Sequence, residues 1–452
     1  MVKFSLQESR GKILKVVKFG GSSVATGECF EMVKNIVNAD PARAMVVVSA
    51  PGKRFSGDIK VTDLLYLLRA HIKYNAPYDE LVDKIEARYE EICNYCNIEN
   101  VVKEDFAEFR AKLNKKTPKD YIVSRGEYWC AKIMAKYLGY TFVDSADWLI
   151  FDYDGKVLLD ESYANLVKIA EATQNPRFVI PGFYGAMRDN TIKAFSRGGS
   201  DISGSLVAAA LNATAYENWT DVNGILAADP RIVENPRPID KVTFSELREL
   251  SYMGAEVLHE DAVFPVRDKG IPLYIKNTKD IEAPGTLIME SFDEDKNAQA
   301  KVCPITGVSG RKNYTIVTIS KGRMDEEPGC IQKVLEIFAA LEINVDQVPC
   351  SIDSFSVIVP TDSIGDKLHS IITRIEQVIA PDSIKITDEI SLIAVVGRNL
   401  ARNIGIAGKI FTALGENNIN IRFIGQGADE VNIIIGVDDA NFKEAIRVLH
   451  DF

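Results

Sequence analysis

Several absences narrow what this chain can be. No apolar run approaches the length of a membrane span, and residues 1–12 lack the hydrophobic stretch of a secretory signal. A cytoplasmic protein without a membrane partner is expected. Histidine is scarce: the four are His71, His259, His369 and His450, and no two are close in sequence. Neither a zinc centre nor a histidine-based nucleophile relay finds support there. The seven cysteines are odd in number and scattered, which argues against a disulfide framework. Cys93 and Cys96 form a C-x-x-C, but it closes a helical stretch and has no second pair, so no metal site is expected. There is no surplus of positive charge, since 53 basic residues face 64 acidic ones for a net charge of −11. A general nucleic-acid partner is therefore disfavoured. No G-x-x-x-x-G-K-[ST] phosphate loop occurs either.

What is present reads as an ordinary globular chain of two or three domains, 452 residues long and 46% hydrophobic. Near its start, Val16-Val17-Lys18-Phe19-Gly20-Gly21-Ser22-Ser23-Val24 reads as the end of a buried strand, a lysine, then two glycines and two hydroxyls. Such a sequence lays bare backbone N–H groups beside one fixed cation, and the natural ligand is a phosphate. Residues 13–50 read as strand, loop, helix, strand, and 45–50 as a parallel strand buried on both faces. Residues 60–118 read as a charged helical excursion from the sheet. A strand at 177–183 stops at Pro-Gly, and 203–211 is a small-residue helix fit to lie close on a sheet. Alternating strands and helices predict an α/β layer architecture to about residue 290.

The composition changes at 290–300, where the main boundary is expected. An internal repeat follows at an offset of 76 residues: Gly329 falls on Gly405, Lys333 on Lys409, Asn344 on Asn420, and 357–359 on 433–435. Each copy reads β-α-β-β with a glycine at the helix start. Duplication is the economical explanation, and a fused pair gives each small unit a workable core.

Four segments of the first 290 residues carry chemistry: Lys18–Ser23, Ser124-Arg125-Gly126-Glu127, Phe195-Ser196-Arg197-Gly198-Gly199-Ser200-Asp201, and Trp219-Thr220-Asp221-Val222-Asn223-Gly224 with Asp229-Pro230-Arg231. Singly, each has an ordinary reading: Lys18 as a surface lysine, Glu127 as a helix cap, Arg197 as an ion-pair partner. Together, two glycine-rich anion loops beside cations and a Thr-Asp-x-x-Gly loop in one α/β domain are not explained by turns. With Val-Ser-Ala at 48–50 and Thr62-Asp63, they run in the order found in the aspartate kinases of the amino-acid kinase superfamily, which the chain resembles over nearly its whole length. The duplicated tail resembles that family's paired ACT domains.

The resemblance implies a three-layer αβα kinase domain with a mainly parallel sheet over 1–295, followed by two ferredoxin-like (βαββαβ) ACT domains. The first would span 312–386, and the second would join 303–311 to 387–452. It implies a monofunctional enzyme that uses ATP and Mg²⁺ to phosphorylate the side-chain carboxylate of L-aspartate, the step that opens the route to lysine, threonine and methionine. That carboxylate is ionised at neutral pH, so the lack of a recognisable general base is consistent. By the same resemblance, Lys18 faces the γ-phosphoryl, Gly20 and Gly21 cradle it, and Asp201 stands at the edge of the site. Ser22, Ser49, Thr62, Gly198, Gly199 and Ser200 line the substrate, Arg197 grips its α-carboxylate and Glu127 its α-ammonium. Thr220, Asp221, Leu226, Arg231, Glu256 and Val257 belong to the nucleotide wall. Glu256 replaces a lysine common in the family, Glu260 a proline, and Leu226 a tyrosine of some relatives. The effector, L-lysine or L-threonine, is expected at Met324, Gly329, Cys330, Ile331, Asn344, Val345, Asp346 and Ser351, in a homodimer or tetramer joined through ACT domains. A kinase acting on glutamate and a non-catalytic amino-acid sensor are the competing readings.

Overall fold

The computed structural model describes residues 13–255, 258, 262–292, 305–398, 400, 403–427 and 431–451. Among these, no helix is long and apolar enough to cross a membrane. The chain forms two compact units: residues 1–225, 240–244 and 257–292 make the first, and 226–239, 245–256 and 293–452 the second.

The first unit is built on an eight-stranded sheet. In spatial order its strands are Lys241–Thr243, Thr286–Met289, Leu273–Asn277, Ala215–Thr220, Lys15–Phe19, Arg43–Val48, Phe178–Pro181 and Thr141–Phe142. Every pairing is parallel except that between Leu273–Asn277 and Thr286–Met289. Side chains alternate across the sheet. Val17, Phe19, Val46, Val48 and Val179 join one core with the helices Gly27–Ala39, Val61–Tyr74, Asp79–Tyr95, Lys103–Lys112 and Lys119–Leu138. The opposite face receives the helix Gly199–Ala210, which packs on the strands Lys15–Phe19, Arg43–Val48 and Ala215–Thr220. It lies so close that a Cβ at Gly204 would stand 2.5 Å from the Tyr216 hydroxyl. The result is an αβα sandwich.

The segment 60–118 is helical and leaves the sheet, as expected. Its helices pack on Lys119–Leu138 and Gly27–Ala39, which themselves lie on the strands. They are nailed there by an aromatic cluster in which Phe106 stacks on Trp129 at 3.9 Å and Phe109 and Tyr89 meet the same indole edge-on. The charges that gave it an exposed look lie on the outer faces. Cys93 and Cys96 are free thiols, which burial pushes up to about 11.

The second unit carries a five-stranded antiparallel sheet in the order Ser354–Pro360, Gly307–Ser320, Ser383–Val396, Asn432–Asp438, Ile421–Gln426. Two separate cores lie on it. One gathers Val317, Val357 and Val359 with the helices Cys330–Ala340 and Leu368–Ile379. The other gathers Val308, Ile393 and Ile435 with the helices Ile406–Glu416 and Phe442–His450. The long strand Gly307–Ser320 serves both. Residues 307–311 pair with 392–396 and 314–320 with 383–390, with an irregularity between Arg311 and Tyr314. The repeat is visible in the backbone: Gly329 and Gly405 precede corresponding helices with φ of 81° and 84°. The copies differ at one strand. Ile421–Gln426 is continuous, whereas its counterpart makes only the isolated bridges Gln347↔Ile358 and Cys350↔Phe355. Pro349 lies between them and has no N–H to give a ladder.

Candidate active site

The parallel strands of the first unit end together, and ligands of such sheets bind beyond the carboxyl ends of the strands. Lys18 is the penultimate residue of Lys15–Phe19. It falls on the face opposite Val17 and Phe19, toward the helix Gly199–Ala210. Its ammonium lies 2.6 Å from Asp201 Oδ1, in the first turn of that helix, and donates to Asn218 Oδ1 at 3.3 Å. Asn218 is the register partner of Lys18 on the adjacent strand, and its amide donates to Asp201 at 2.9 Å. Lys18 and Asn218 are buried, so the three side chains form a closed set that fixes the ammonium in place. Sequence reasoning missed Asn218. The available signal was an amide in the middle of a strand otherwise bound for the core.

The glycines serve close approach. A Cβ on Gly21 would stand 2.9 Å from the Ala50 carbonyl, and one on Gly52 2.7 Å from the Gly21 backbone. The Gly20 N–H is already donated to the Trp219 carbonyl at 3.1 Å, whereas the Gly21 N–H has no such backbone partner among the described residues. On the other wall Gly198 adopts a left-handed φ of 59° before the helix. Gly199 lies against Phe183, and Ser200 against Gly182. Phe183 itself holds φ at 76°, a strained value for a side chain of that size. Its N–H donates to Ser203 Oγ, which donates in turn to the Gly199 carbonyl.

Glu127 is buried on the helix Lys119–Leu138. One carboxylate oxygen accepts from the Ala50 N–H at 3.1 Å, while Oε2 is buried with no partner. Burial, only partly offset by that hydrogen bond, pushes its carboxyl up to about 8. It stands beside Ser49, half-buried at the end of Arg43–Val48, whose N–H donates to the Phe19 carbonyl. Thr62 is half-buried in the first turn of Val61–Tyr74, and Ser22 half-buried in the turn Gly21–Val24. Arg197 is exposed on the glycine-rich loop and has no partner among the described residues.

Thr220 ends the strand Ala215–Thr220, and its hydroxyl meets Asp221 at 3.3 Å. Leu226 and Arg231 fall in the second unit, where Arg231 pairs with Asp229 at 2.8 Å. Glu256, Val257, His259 and Glu260 lie outside the described residues. In the effector segment, the Met324 and Cys330 side chains belong to the core, with Ile331 packed against it. Gly329, Asn344 and Ser351 are exposed, and Val345 is half-buried. The Asp346 carboxylate takes hydrogen bonds from the Tyr252 and Tyr314 hydroxyls. Burial, with the hydrogen bond to Asp346 and its charge, pushes the Tyr252 phenol up to about 12.

A family model for the amino acid kinase family matches residues 14–277, and one for the ACT domain matches 393–451. The chain is 34% identical to aspartokinase 3 of Bacillus subtilis, over 97% of this chain and 98% of that one. Among solved structures it resembles the aspartate kinase of Clostridium acetobutylicum at 42% identity and a TM-score of 0.86, covering 97% of this chain and 99% of that one. It also resembles E. coli aspartokinase III in complex with aspartate and ADP, at 25% identity and a TM-score of 0.73, again over 97% and 99%. A second structure of that enzyme, with lysine and aspartate, matches at 25% identity and a TM-score of 0.71, with the same coverage. With the lysine-bearing strand end, its counter-charge Asp201 and both regions matched in order, the chain belongs to the amino acid kinase family and, within it, to the aspartokinases.

Proposed function

We propose that this chain transfers the γ-phosphoryl group of ATP to the side-chain carboxylate of L-aspartate, giving ADP and 4-phospho-L-aspartate. The observation that carries the reading is Glu127. A buried carboxylate with one unpartnered oxygen is costly unless a cation arrives, and the α-ammonium of an amino acid is such a cation. Arg197, exposed and without a partner among the described residues, supplies the planar fork for the α-carboxylate. The substrate's side chain then points toward Lys18, whose charge neutralises the transferring phosphoryl group while Asp201 and Asn218 hold it. Gly21 gives its N–H to a phosphoryl oxygen. Gly198, Gly199 and Ser200 form the facing wall with Ser22, Ser49 and Thr62. The attacking carboxylate is already ionised, so catalysis consists of alignment and charge neutralisation. Thr220 and Asp221 take part in holding the nucleotide.

Mg²⁺ is expected with ATP, at the nucleotide's phosphates beside Asp201, whose carboxylate stands 2.6 Å from the Lys18 ammonium. Bound there, it would screen the charge of the phosphates. A hydroxamate assay for acyl phosphate tests the reading. ATP-dependent product with aspartate and none with glutamate is expected. Turnover of glutamate alone, or of neither, overturns it.

The effector is assigned to the ACT region, in keeping with the aspartokinase III structure solved with lysine and aspartate. L-Lysine or L-threonine would place its carboxylate at the Gly329 helix start and its ammonium at Asp346, in a homodimer joined through the ACT domains. Thermal unfolding with lysine, threonine and methionine in turn identifies the effector, because a ligand of the native state raises the midpoint. No shift with any of the three rejects the assignment.

A further inference from the structure

We infer that Arg88, on the helix Asp79–Tyr95, is a positioning residue for phosphoryl transfer: it clamps the 51–60 loop and, through Gly52, sets the backbone turn at Gly21. The proposal rests on the reading of Gly21 and Glu127 given above.

Arg88 is buried. Its Nη2 donates to the Gly52 carbonyl at 2.7 Å, and its Nη1 to Asp58 Oδ2 at 3.0 Å and to the Ile59 carbonyl at 3.3 Å. One guanidinium thereby holds both ends of the loop that follows the strand Arg43–Val48. Gly52 passes the constraint on: its N–H donates to the Gly21 carbonyl at 2.8 Å, and the two residues are in backbone contact. The next residue of the same helix, Tyr89, donates its hydroxyl to the Gly126 carbonyl at 2.7 Å, one residue before Glu127. Consecutive residues thus brace the phosphate side and the aspartate side of the site.

The arrangement is poor as a device for stability alone. Burying a cation is expensive, and Arg88 leaves its Nε buried without a partner. Burial holds the guanidinium below its ordinary pKa although Asp58 lies beside it. Asp58 is shared, since Arg54 grips the same carboxylate through Nε at 2.9 Å and its own N–H at 3.0 Å. What the buried fork secures is the shape of a loop. A loop touching Gly21 matters because a misplacement of about 1 Å costs on the order of a hundredfold in rate. Lysine, a point charge on a flexible stem, reaches either the Gly52 carbonyl or Asp58 but does not span both.

The test is steady-state kinetics of the full chain for wild type, Arg88→Met, Arg88→Lys and Asp58→Asn, with rates expressed per folded molecule from near-UV circular dichroism. Arg88→Met is expected to lower kcat about tenfold or more, with KM for ATP changed less than about threefold. Arg88→Lys should recover part of the loss. Asp58→Asn, which keeps the Gly52 contact and the packing, should lose severalfold. Unchanged kcat in folded Arg88→Met overturns the proposal, and so does a loss that enters only through KM for ATP. If Arg88→Met does not fold, the decision passes to Asp58→Asn, and an unaltered kcat there overturns it. A wild-type protein unable to phosphorylate aspartate sinks the reading of the site, whereas an active wild type with indifferent Arg88 variants sinks this proposal alone.

Discussion

Glu127 sets a pH dependence whose sign can be worked out. Its carboxyl is raised from 4.5 to about 8 in the folded chain. A raised pKa means that folding favours the protonated form. Its contribution to stability is whole below about pH 4.5 and is lost as pH rises toward 8. Glu127→Gln removes that loss. The variant's melting temperature should exceed that of wild type by a margin that grows between pH 5 and 8 and then levels, while aspartate turnover collapses. A constant margin across that range rejects the assignment. The same group ties substrate binding to protons. An ammonium at Oε2 pulls the carboxyl back toward ionisation, so aspartate binding at pH 7 should release close to one proton per site, read by calorimetry in buffers of different ionisation enthalpy. No release from wild type, or the same release from Glu127→Gln, counts against the pairing. Lys18→Ala should lose most of kcat while remaining folded, because Asn218 still donates to Asp201 at 2.9 Å. A normal kcat rejects its role.

Between elements, the alternation of side chains was legible and the register was not. Val16-Val17-Lys18 announces a buried strand followed by a cation, and Gly-Gly announces close approach. Nothing in the local sequence says that Asn218 stands directly opposite Lys18, because pairing between strands two hundred residues apart is set by the packed sheet. The Gly20 N–H misled for the same reason, being consumed by the Trp219 carbonyl of that same neighbour. The clamp from Arg88 was invisible because an arginine on a charged helix looks solvated until the helix is packed. Asp346 shows the same limit. It stands two residues after Asn344, which the repeat sets on Asn420, yet its partner Tyr252 comes from the helix Phe244–Tyr252, far back in the sequence. Under the effector assignment, an ammonium must share or displace that hydroxyl. Tyr252→Phe should therefore tighten lysine or threonine binding several-fold, measured as a dissociation constant by calorimetry. An unchanged or weaker constant argues that Asp346 is structural.

At the scale of the whole chain, composition marks a change at 290–300, but compactness does not follow sequence order. Residues 226–239 and 245–256 cluster with the tail, and the reason is chemical. The Val308 N–H donates to the Ala227 carbonyl at 2.7 Å, and Ser309 Oγ to the Leu250 carbonyl at 3.1 Å. Arg237 Nη2 donates to the Ile305 carbonyl at 2.9 Å. Glu246, wholly buried, accepts from Thr306 Oγ1 and from the Arg398 N–H. Ala228 and Val233 complete the core around Val308 and Ile393. A fragment starting at residue 293 lacks all of these partners. Hydrogen bonds to charged groups contribute roughly 1.5–3 kcal/mol each, so the half of the sheet built on 305–311 should be weakened, whereas the half built on Val317 keeps both neighbouring strands. Native-state amide exchange separates the two: in the fragment the Val308 amide should exchange far faster than that of Val317, and in the full chain both should be protected. Equal protection of Val308 and Val317 in the fragment would mean that the tail folds without the interleaved segments, and that residues 226–239 and 245–256 contribute nothing to its stability.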